Sequence, residues 1–227
     1  MSNKNLQINN NLTKSKTRVR DHGEVFTPDF IVEDMLNLVK QETENIESRF
    51  LEPACGDGNF LIKVLERKLE VVKRVYKKSQ FDYERNSLVA ISNIYGIELL
   101  NDNVYLAQER LYDFFYSIYK KLYSKKINND FLKSIKYILK RNILQGDALS
   151  LRDKDDNPIT FSEWSPINGT KIKRRDFQFV DLAEFDPKKP SLFSKIETSD
   201  TGEIIFSPMP KKEYPPVSFL TLYLAYE

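Results

Sequence analysis

Phe50-Leu51-Glu52-Pro53-Ala54-Cys55-Gly56-Asp57-Gly58-Asn59-Phe60 is the stretch on which the reading of the fold turns. Arg49–Glu52 reads as a short strand that runs into a tight loop, Pro53–Gly58. From Asn59 to about Lys78 the residues Phe60, Val64, Leu65 and Leu69 fall at helical spacing. A strand, a glycine loop and a helix in that order expose free helix N–H groups where glycine lets a ligand approach the backbone. Many α/β folds contain such a unit. This one lacks the three glycines of a dinucleotide fingerprint and the Lys-Ser/Thr ending of a P-loop, which disfavours nucleoside triphosphate hydrolysis.

Upstream, Thr27-Pro28 marks the start of a helix over Ile31–Lys40, with threonine as its cap and proline in its first turn. Downstream, a helix begins near Tyr83 and Ile94–Ile97 reads as a strand ending in Glu98. Asp102 opens a long aromatic-rich helix to about Tyr123, and Asn129-Asp130 caps another to about Lys140. Asn142–Gln145 reads as a third strand, followed by Gly146-Asp147-Ala148-Leu149. Strands alternating with helices predict an α/β fold with a parallel sheet. After Leu149, short segments at Phe177–Leu182, Glu203–Phe206 and Val217–Tyr226 predict an irregular, β-rich tail. The expected organisation is a flexible basic arm over residues 1–20, a ligand-binding α/β domain over 21–150, and a divergent C-terminal part of the same domain over 151–227.

Two carboxylates follow the glycine loop in order. Glu98, at the tip of the second strand, is placed to accept both hydrogens of a ribose diol. Asp147, after the third, is placed to accept from an adenine exocyclic amine. Singly, each is an ordinary helix-capping or turn residue. Together at successive strand ends, where ligands of such sheets bind, they favour a nucleoside.

The bulk properties agree with a folded, soluble domain: 41% of the 227 residues are hydrophobic and 30% are charged. No apolar run reaches the roughly 20 residues of a membrane span, and the polar N-terminus has no secretory apolar region. The lone cysteine, Cys55, is read as a small packing residue, and its inability to form an internal disulfide suits a reducing cytoplasm. The single histidine, His22, reads as a solvated loop residue, and no His/Cys cluster suggests a metal. A net charge of +2 neither demands nor forbids nucleic acid. The basic runs Lys14–Arg20 and Lys171–Arg175 are each either a phosphate track or a solvated face.

The segment Phe50–Phe60 resembles the cofactor motif of the N6-adenine DNA methylase family, which includes modification subunits of restriction systems. Gly23-Glu24-Val25-Phe26-Thr27-Pro28 resembles that family's upstream cofactor motif. Tyr95-Gly96-Ile97-Glu98 and Gln145-Gly146-Asp147-Ala148-Leu149 resemble the next two. The resemblance covers about Arg18 to Leu149. It implies a Rossmann-like class I fold that binds S-adenosyl-L-methionine. Phe26, Thr27 and Pro28 would line the methionine end, and Glu52, Pro53, Ala54 and Gly56 would wrap the methionine and sulfonium. Glu98 would hold the ribose, and Asp147 the adenine amine, with Ala148 and Leu149 beside the ring. The implied activity is methylation of adenine N6 in DNA within a restriction–modification or defence system.

The family's catalytic loop, Asn/Asp/Ser-Pro-Pro-Tyr/Phe, has no full counterpart. Asp156-Asn157-Pro158-Ile159 supplies the Asn-Pro start, so Asn157 and Pro158 are the catalytic candidates, but Ile159 replaces the second proline and a polar turn is the competing reading. Phe161 or Trp164 could stack on a base or lie in the core. Tyr214-Pro215-Pro216 has two prolines without the amide. No large target-recognition domain follows, so a specificity or restriction subunit is an expected partner beside DNA. Two alternatives stay open: a catalytically silent cofactor- and DNA-binding subunit, and a methyltransferase for RNA or a small molecule.

Overall fold

The structure is a computed structural model that describes residues 17, 18, 20, 27–183, 194–198 and 204–225, with backbone alone for 194–198 and 204–206. Its centre is a short parallel sheet. β1 (Phe50–Glu52) pairs with β2 (Ile94–Glu98), which pairs with β3 (Ile143–Asp147). The two-residue β4 (Arg152–Asp153) folds back antiparallel on β3. Every residue of β2 is buried, as befits the strand with a neighbour on each side.

The helices are α1 (Asp29–Leu38), α2 (Lys40–Glu44), α3 (Asn59–Tyr76), α4 (Gln80–Ser92), α5 (Asn101–Tyr123) and α6 (Asn129–Asn142). α3 and α4 connect β1 to β2, and α5 and α6 connect β2 to β3. α3 buries Leu61, Val64, Leu65, Lys68, Leu69 and Val72, and α5 buries Val104, Ala107, Leu111, Phe115 and Tyr119. Both stripes follow the three-and-four spacing that puts one helix face on a core. The helix predicted over Ile31–Lys40 starts two residues earlier and breaks at Val39. Pro28, not Thr27, occupies its cap position, and the Pro28 carbonyl accepts from Ile31 and Val32. Ser79 and Asn128 cap α4 and α6 with side-chain oxygens that accept from Asp82 and Phe131.

Alternation along β2 sends its side chains to two different cores. Ile94 joins the cluster made with the helices, whereas Tyr95 and Ile97 meet Ile159 and Phe161. The second group comes from the region after Leu149, which is more regular than its sequence suggests. β5 (Thr160–Pro166) and β6 (Lys171–Gln178) form a long antiparallel hairpin, extended by β9 (Lys212–Glu213) and β10 (Val217–Ser218). β7 (Ser194–Thr198) pairs with β8 (Ile204–Pro208). The predicted segment Phe177–Leu182 is split between the end of β6 and a short helix, α7 (Phe179–Ala183), and Leu222 of α8 (Leu222–Ala225) enters the main core.

Charge on β6 alternates with burial and serves the fold. Arg174 is 2% exposed and binds Asp176 through Nε and Nη2 at 2.8 and 2.7 Å. Lys173 pairs with Glu213 and Arg175 with Glu163. The basic run Lys171–Arg175 is therefore largely committed to internal ion pairs. Phe161 and Trp164 are buried, and Trp164 Nε1 donates to Asn142 Oδ1 at 3.1 Å, so both are core residues rather than base-stacking platforms. Tyr214 donates to Asp176 Oδ2 at 3.1 Å and lies under the Arg174 guanidinium.

Lys68 is fully buried on α3. Its ammonium donates to the carbonyls of Asn45, Ile46 and Ser48, which lead into β1. Burial pushes this group down from the ordinary lysine value of 10.5 to about 7, against the opposing pull of Glu42. Across that interval the unfolded chain binds the proton and the folded chain does not, so Lys68 makes stability rise as pH rises from about 7 to about 10.5. Below about pH 7 both states are protonated and this dependence vanishes. Lys68→Met is expected to abolish the rise, as read from denaturant midpoints across that range.

Candidate nucleoside site at the strand ends

The site follows from the first turn after β1. Cys55 N–H donates to the Ile97 carbonyl at 2.9 Å and Gly58 N–H to the Cys55 carbonyl at 2.8 Å, which curls the loop against β2. Cys55 is 5% exposed and burial pushes its thiol up, out of the range of a reactive thiolate. Beneath it lies Gly96, where an added Cβ would stand 2.8 Å from Cys55 Sγ. Glycine is required on β2 because the loop packs directly on the strand. Gly58 has φ +86°, and a Cβ there would meet Ala107 of α5 at 3.1 Å. The left-handed turn both starts α3 and lets α5 approach.

Glu98 fastens this loop to the next. Its Oε2 accepts from Gly56 N–H at 2.9 Å and its Oε1 from Leu100 N–H at 2.9 Å, with Asn103 Nδ2 at 3.5 Å. Although Glu98 is only 9% exposed, Oε2 keeps a second lone pair for an arriving hydroxyl, and Oε1 shares its second only with the long Asn103 contact. Glu52, at the end of β1, accepts from Ala54 N–H at 3.3 Å, and burial raises its pKa. Pro53 and Ala54 are exposed on the loop surface.

At the end of β3, Asp147 Oδ1 accepts from Leu149 N–H at 2.9 Å; this bond, then those from Ser150, hold the carboxyl below its usual range. Asp147 lines a hollow of about 300 Å³ with Leu99, Gln145, Gly146, Ser150 and Arg152. Leu99 is 51% exposed and Leu149 is 95% exposed. Ala148 packs against the second core. Parallel pairing of β1, β2 and β3 thus brings Glu52, Glu98 and Asp147 to the same end of adjacent strands.

A side-chain network joins this end to the segment before α1. Asn59 Nδ2 donates to the Thr27 carbonyl at 3.1 Å and to Asp29 Oδ1 at 2.9 Å. This places Thr27 and Pro28 beside the glycine loop. Phe26 and His22 lie outside the described residues. Of the predicted basic arm, Thr17, Arg18 and Arg20 are helical, and Arg18 makes a two-pronged pair with Asp102 at 2.7 and 3.2 Å. Arg18 thus meets the start of α5, and the rest of the predicted arm, residues 1–16 and 19, lies outside the described residues. Arg110, which the sequence did not single out, binds Asp57 and reaches Asn59. Its only sequence signal is its place two turns into the helix after Glu98.

Asn157 and Pro158 follow β4, which folds back on the end of β3 so that Asp153 and Asp156 line the same hollow as Asp147. Asp153 N–H donates to the Asn157 carbonyl at 2.8 Å, while Asn157 N–H and Nδ2 turn to Asp153 Oδ1 at 2.9 and 3.4 Å. Asp156 has φ +63°, and the segment forms a polar turn closed on Asp153. A separate cavity of about 480 Å³ opens near the start of β1, between Tyr95, Phe161, Phe177 and Phe179, with Arg49, Glu163 and Arg175 among its lining residues. Among the described residues no cluster of His, Cys, Asp or Glu could hold a metal, and no helix is long and apolar enough to cross a membrane.

Comparison with known proteins bears on this arrangement. The family described as the MmeI DNA-methyltransferase domain matches residues 30–163, more than half of the chain. The chain belongs to that family. The matched region of this MmeI-type methyltransferase domain runs from α1 into β5 and includes the glycine loop, Glu98 and Asp147. A putative type II restriction enzyme and methyltransferase of Methanocaldococcus jannaschii is 27% identical over 93 residues, which cover 39% of this chain and 8% of that protein. The chain thus spans a small fraction of the curated relative it matches. No solved structure gives a significant match. The chain is accordingly a DNA-methyltransferase domain of the MmeI type.

Proposed function

We propose that this domain binds S-adenosyl-L-methionine in a Rossmann-like class I site and serves the methylation of adenine N6 in DNA within a restriction–modification system. The observation that carries the reading is Glu98, whose carboxylate joins the glycine loop to the loop after β2 while keeping lone pairs for a diol. The residues fit the cofactor on two further counts. Leu149 exposes nearly all of its side chain beside Asp147, a surface that a nucleobase would cover. Among the described residues, the buried Oδ1 of Asp57 in this loop also has no hydrogen-bond partner.

Glu98 would hold the ribose hydroxyls, and Asp147 the adenine amine beside Ala148 and Leu149. Thr27, Pro28, Glu52, Pro53, Ala54 and Gly56 would surround the methionine portion, with Phe26 preceding them. When bound, the sulfonium supplies an electrophilic methyl, so the protein's task is to orient the acceptor amine in line and to exclude water. Residues 21–150 would form the cofactor-binding part, and 151–227 the rest of the same domain, since Trp164, Ile172, Phe219 and Leu222 share its core. A cytoplasmic location follows from this role.

The polar turn that Asn157 forms with Asp153, followed by Ile159 in place of a second proline, favours a second reading, a cofactor-binding subunit whose polar-Pro-Pro-aromatic loop comes from elsewhere in the system. Calorimetry with S-adenosylmethionine and transfer of labelled methyl to duplex DNA separate the readings. Binding with N6-methyladenine formed by the chain alone is expected for the complete enzyme. Binding with transfer only when the system's other protein is added supports the subunit. Labelled cytosine, or no binding, rejects both.

A further inference from the structure

We propose that the end of the domain away from the strand tips carries a second nucleic-acid contact, a basic pole that holds the phosphate backbone of duplex DNA without reading its sequence. Two separate stretches build it. Residues 71–78 close α3 and lead to α4, and residues 114–128 close α5 and lead to α6. Together they carry eight lysines and arginines and no carboxylate, in a chain whose net charge is +2, so the rest of the chain is net acidic. The fold joins the two stretches. Tyr123 Oη donates to the Lys77 carbonyl at 2.9 Å, and Gln80 Nε2, at the start of α4, donates to the Lys126 carbonyl at 2.6 Å.

Arg74, Lys77, Lys78, Lys121, Lys125 and Lys126 are all exposed, and among the described residues none of the six pairs with a carboxylate. Basic residues in the last turn of a helix balance its dipole, which accounts for Lys73 and Arg74 on α3 and for Lys120 and Lys121 on α5. Lys78, Lys125 and Lys126 lie beyond those helix ends, where the dipole no longer accounts for them. Gathering like charges raises the energy of the folded chain, and a polyanion relieves it. The run Lys171–Arg175 differs, since Lys173, Arg174 and Arg175 have carboxylate partners. Five of the six cations at the pole are lysines, compact charges on flexible stems that suit phosphates rather than the edges of a base. DNA is the polyanion at hand for a domain of a DNA-methyltransferase family. Position sets this contact apart from the nucleoside site. α3 starts at the glycine loop and has 18 residues, and α5 starts after Glu98 and has 23. At 1.5 Å per residue the pole lies about 27 Å or more along these helices from the strand ends. DNA held there is a contact additional to that of the duplex being methylated.

The test is fluorescence anisotropy of a short labelled duplex, and of a second duplex of scrambled sequence, titrated with the full chain at several salt concentrations and without cofactor. Lys77→Gln with Lys78→Gln, and separately Lys125→Gln with Lys126→Gln, are each expected to weaken both duplexes on the order of tenfold and to lower the slope of log Kd against log salt by about 2. Lys133→Gln with Lys136→Gln removes as much charge from cations already matched by Asp130 and Glu109, and is expected to leave the affinities within about twofold. Equal losses in all three pairs would reduce the effect to net charge and overturn the proposal, as would unchanged affinity in both pole variants or a loss confined to one duplex sequence. Pole-dependent binding to phosphatidylserine vesicles with none to DNA would assign the surface to a membrane and overturn it too. Because no cofactor is present, a negative result here leaves the S-adenosylmethionine reading untouched, and failure of that cofactor to bind leaves the pole untouched.

Discussion

Glu98→Ala is expected to weaken S-adenosylmethionine by about 3 kcal/mol, roughly 100-fold or more, because hydrogen bonds to a charged acceptor contribute about 1.5–3 kcal/mol each and two ribose hydroxyls would lose theirs. The same substitution releases Gly56 N–H and Leu100 N–H, so the glycine loop loses its tie to β2's neighbour loop even before the ligand arrives. 5′-Methylthioadenosine, which keeps the nucleoside and sulfur but has no amino acid, should weaken by a similar factor, since it carries the same ribose. Asp147→Ala should cost less, about 1 kcal/mol, because one amine bond is at stake on a solvated surface. Calorimetric affinities that do not change in either variant would reject the placement of the nucleoside.

The largest effect on stability is expected at Asp176. It accepts from Arg174 at two points, from Ser162 Oγ at 2.8 Å and from Tyr214 at 3.1 Å. Arg174 has a side chain only 3% exposed, so Asp176→Ala removes from a buried guanidinium the carboxylate it binds at two points. Breaking a buried pair in this way costs about 3–5 kcal/mol. For a domain of this size that corresponds to a fall in Tm on the order of 10 °C. The double change Arg174→Met with Asp176→Leu should recover much of the loss, because removing both charges also removes the desolvation cost. A single Asp176→Ala variant as stable as the parent in urea denaturation would show that the pair contributes nothing to the joint between the hairpin and the helical core.

Much of this protein was legible from local pattern. Leu61, Val64, Leu65 and Leu69 repeat at a helical period and Gly56 and Gly58 bracket a turn, and both signals are carried within a few residues of chain. The same holds for β2 and β3, each a short apolar run closed by Glu98 or by Gly146-Asp147. The strand–helix alternation therefore determined the parallel sheet, and with it the expectation that the two carboxylates share one end. The order of the motifs determined the family resemblance by the same route.

What the tertiary structure decided lies where partners are distant in sequence. Nothing local marks Lys173 and Arg175 as anything but part of a basic run, because their counter-charges, Glu213 and Glu163, come from other strands of the sheet, whereas Arg174 meets Asp176 two residues along its own strand. Trp164 is a core residue rather than a base platform because Asn142, 22 residues away, meets its indole N–H. Arg110 acquires a role only because Gly58 lets α5 lie against the glycine loop. The loop that opened the sequence reading is thus specified by its own residues in shape. Which of its polar atoms are tied up was settled by Glu98, Arg110 and Asn59, since hydrogen bonds between separate elements form only once the chain has packed.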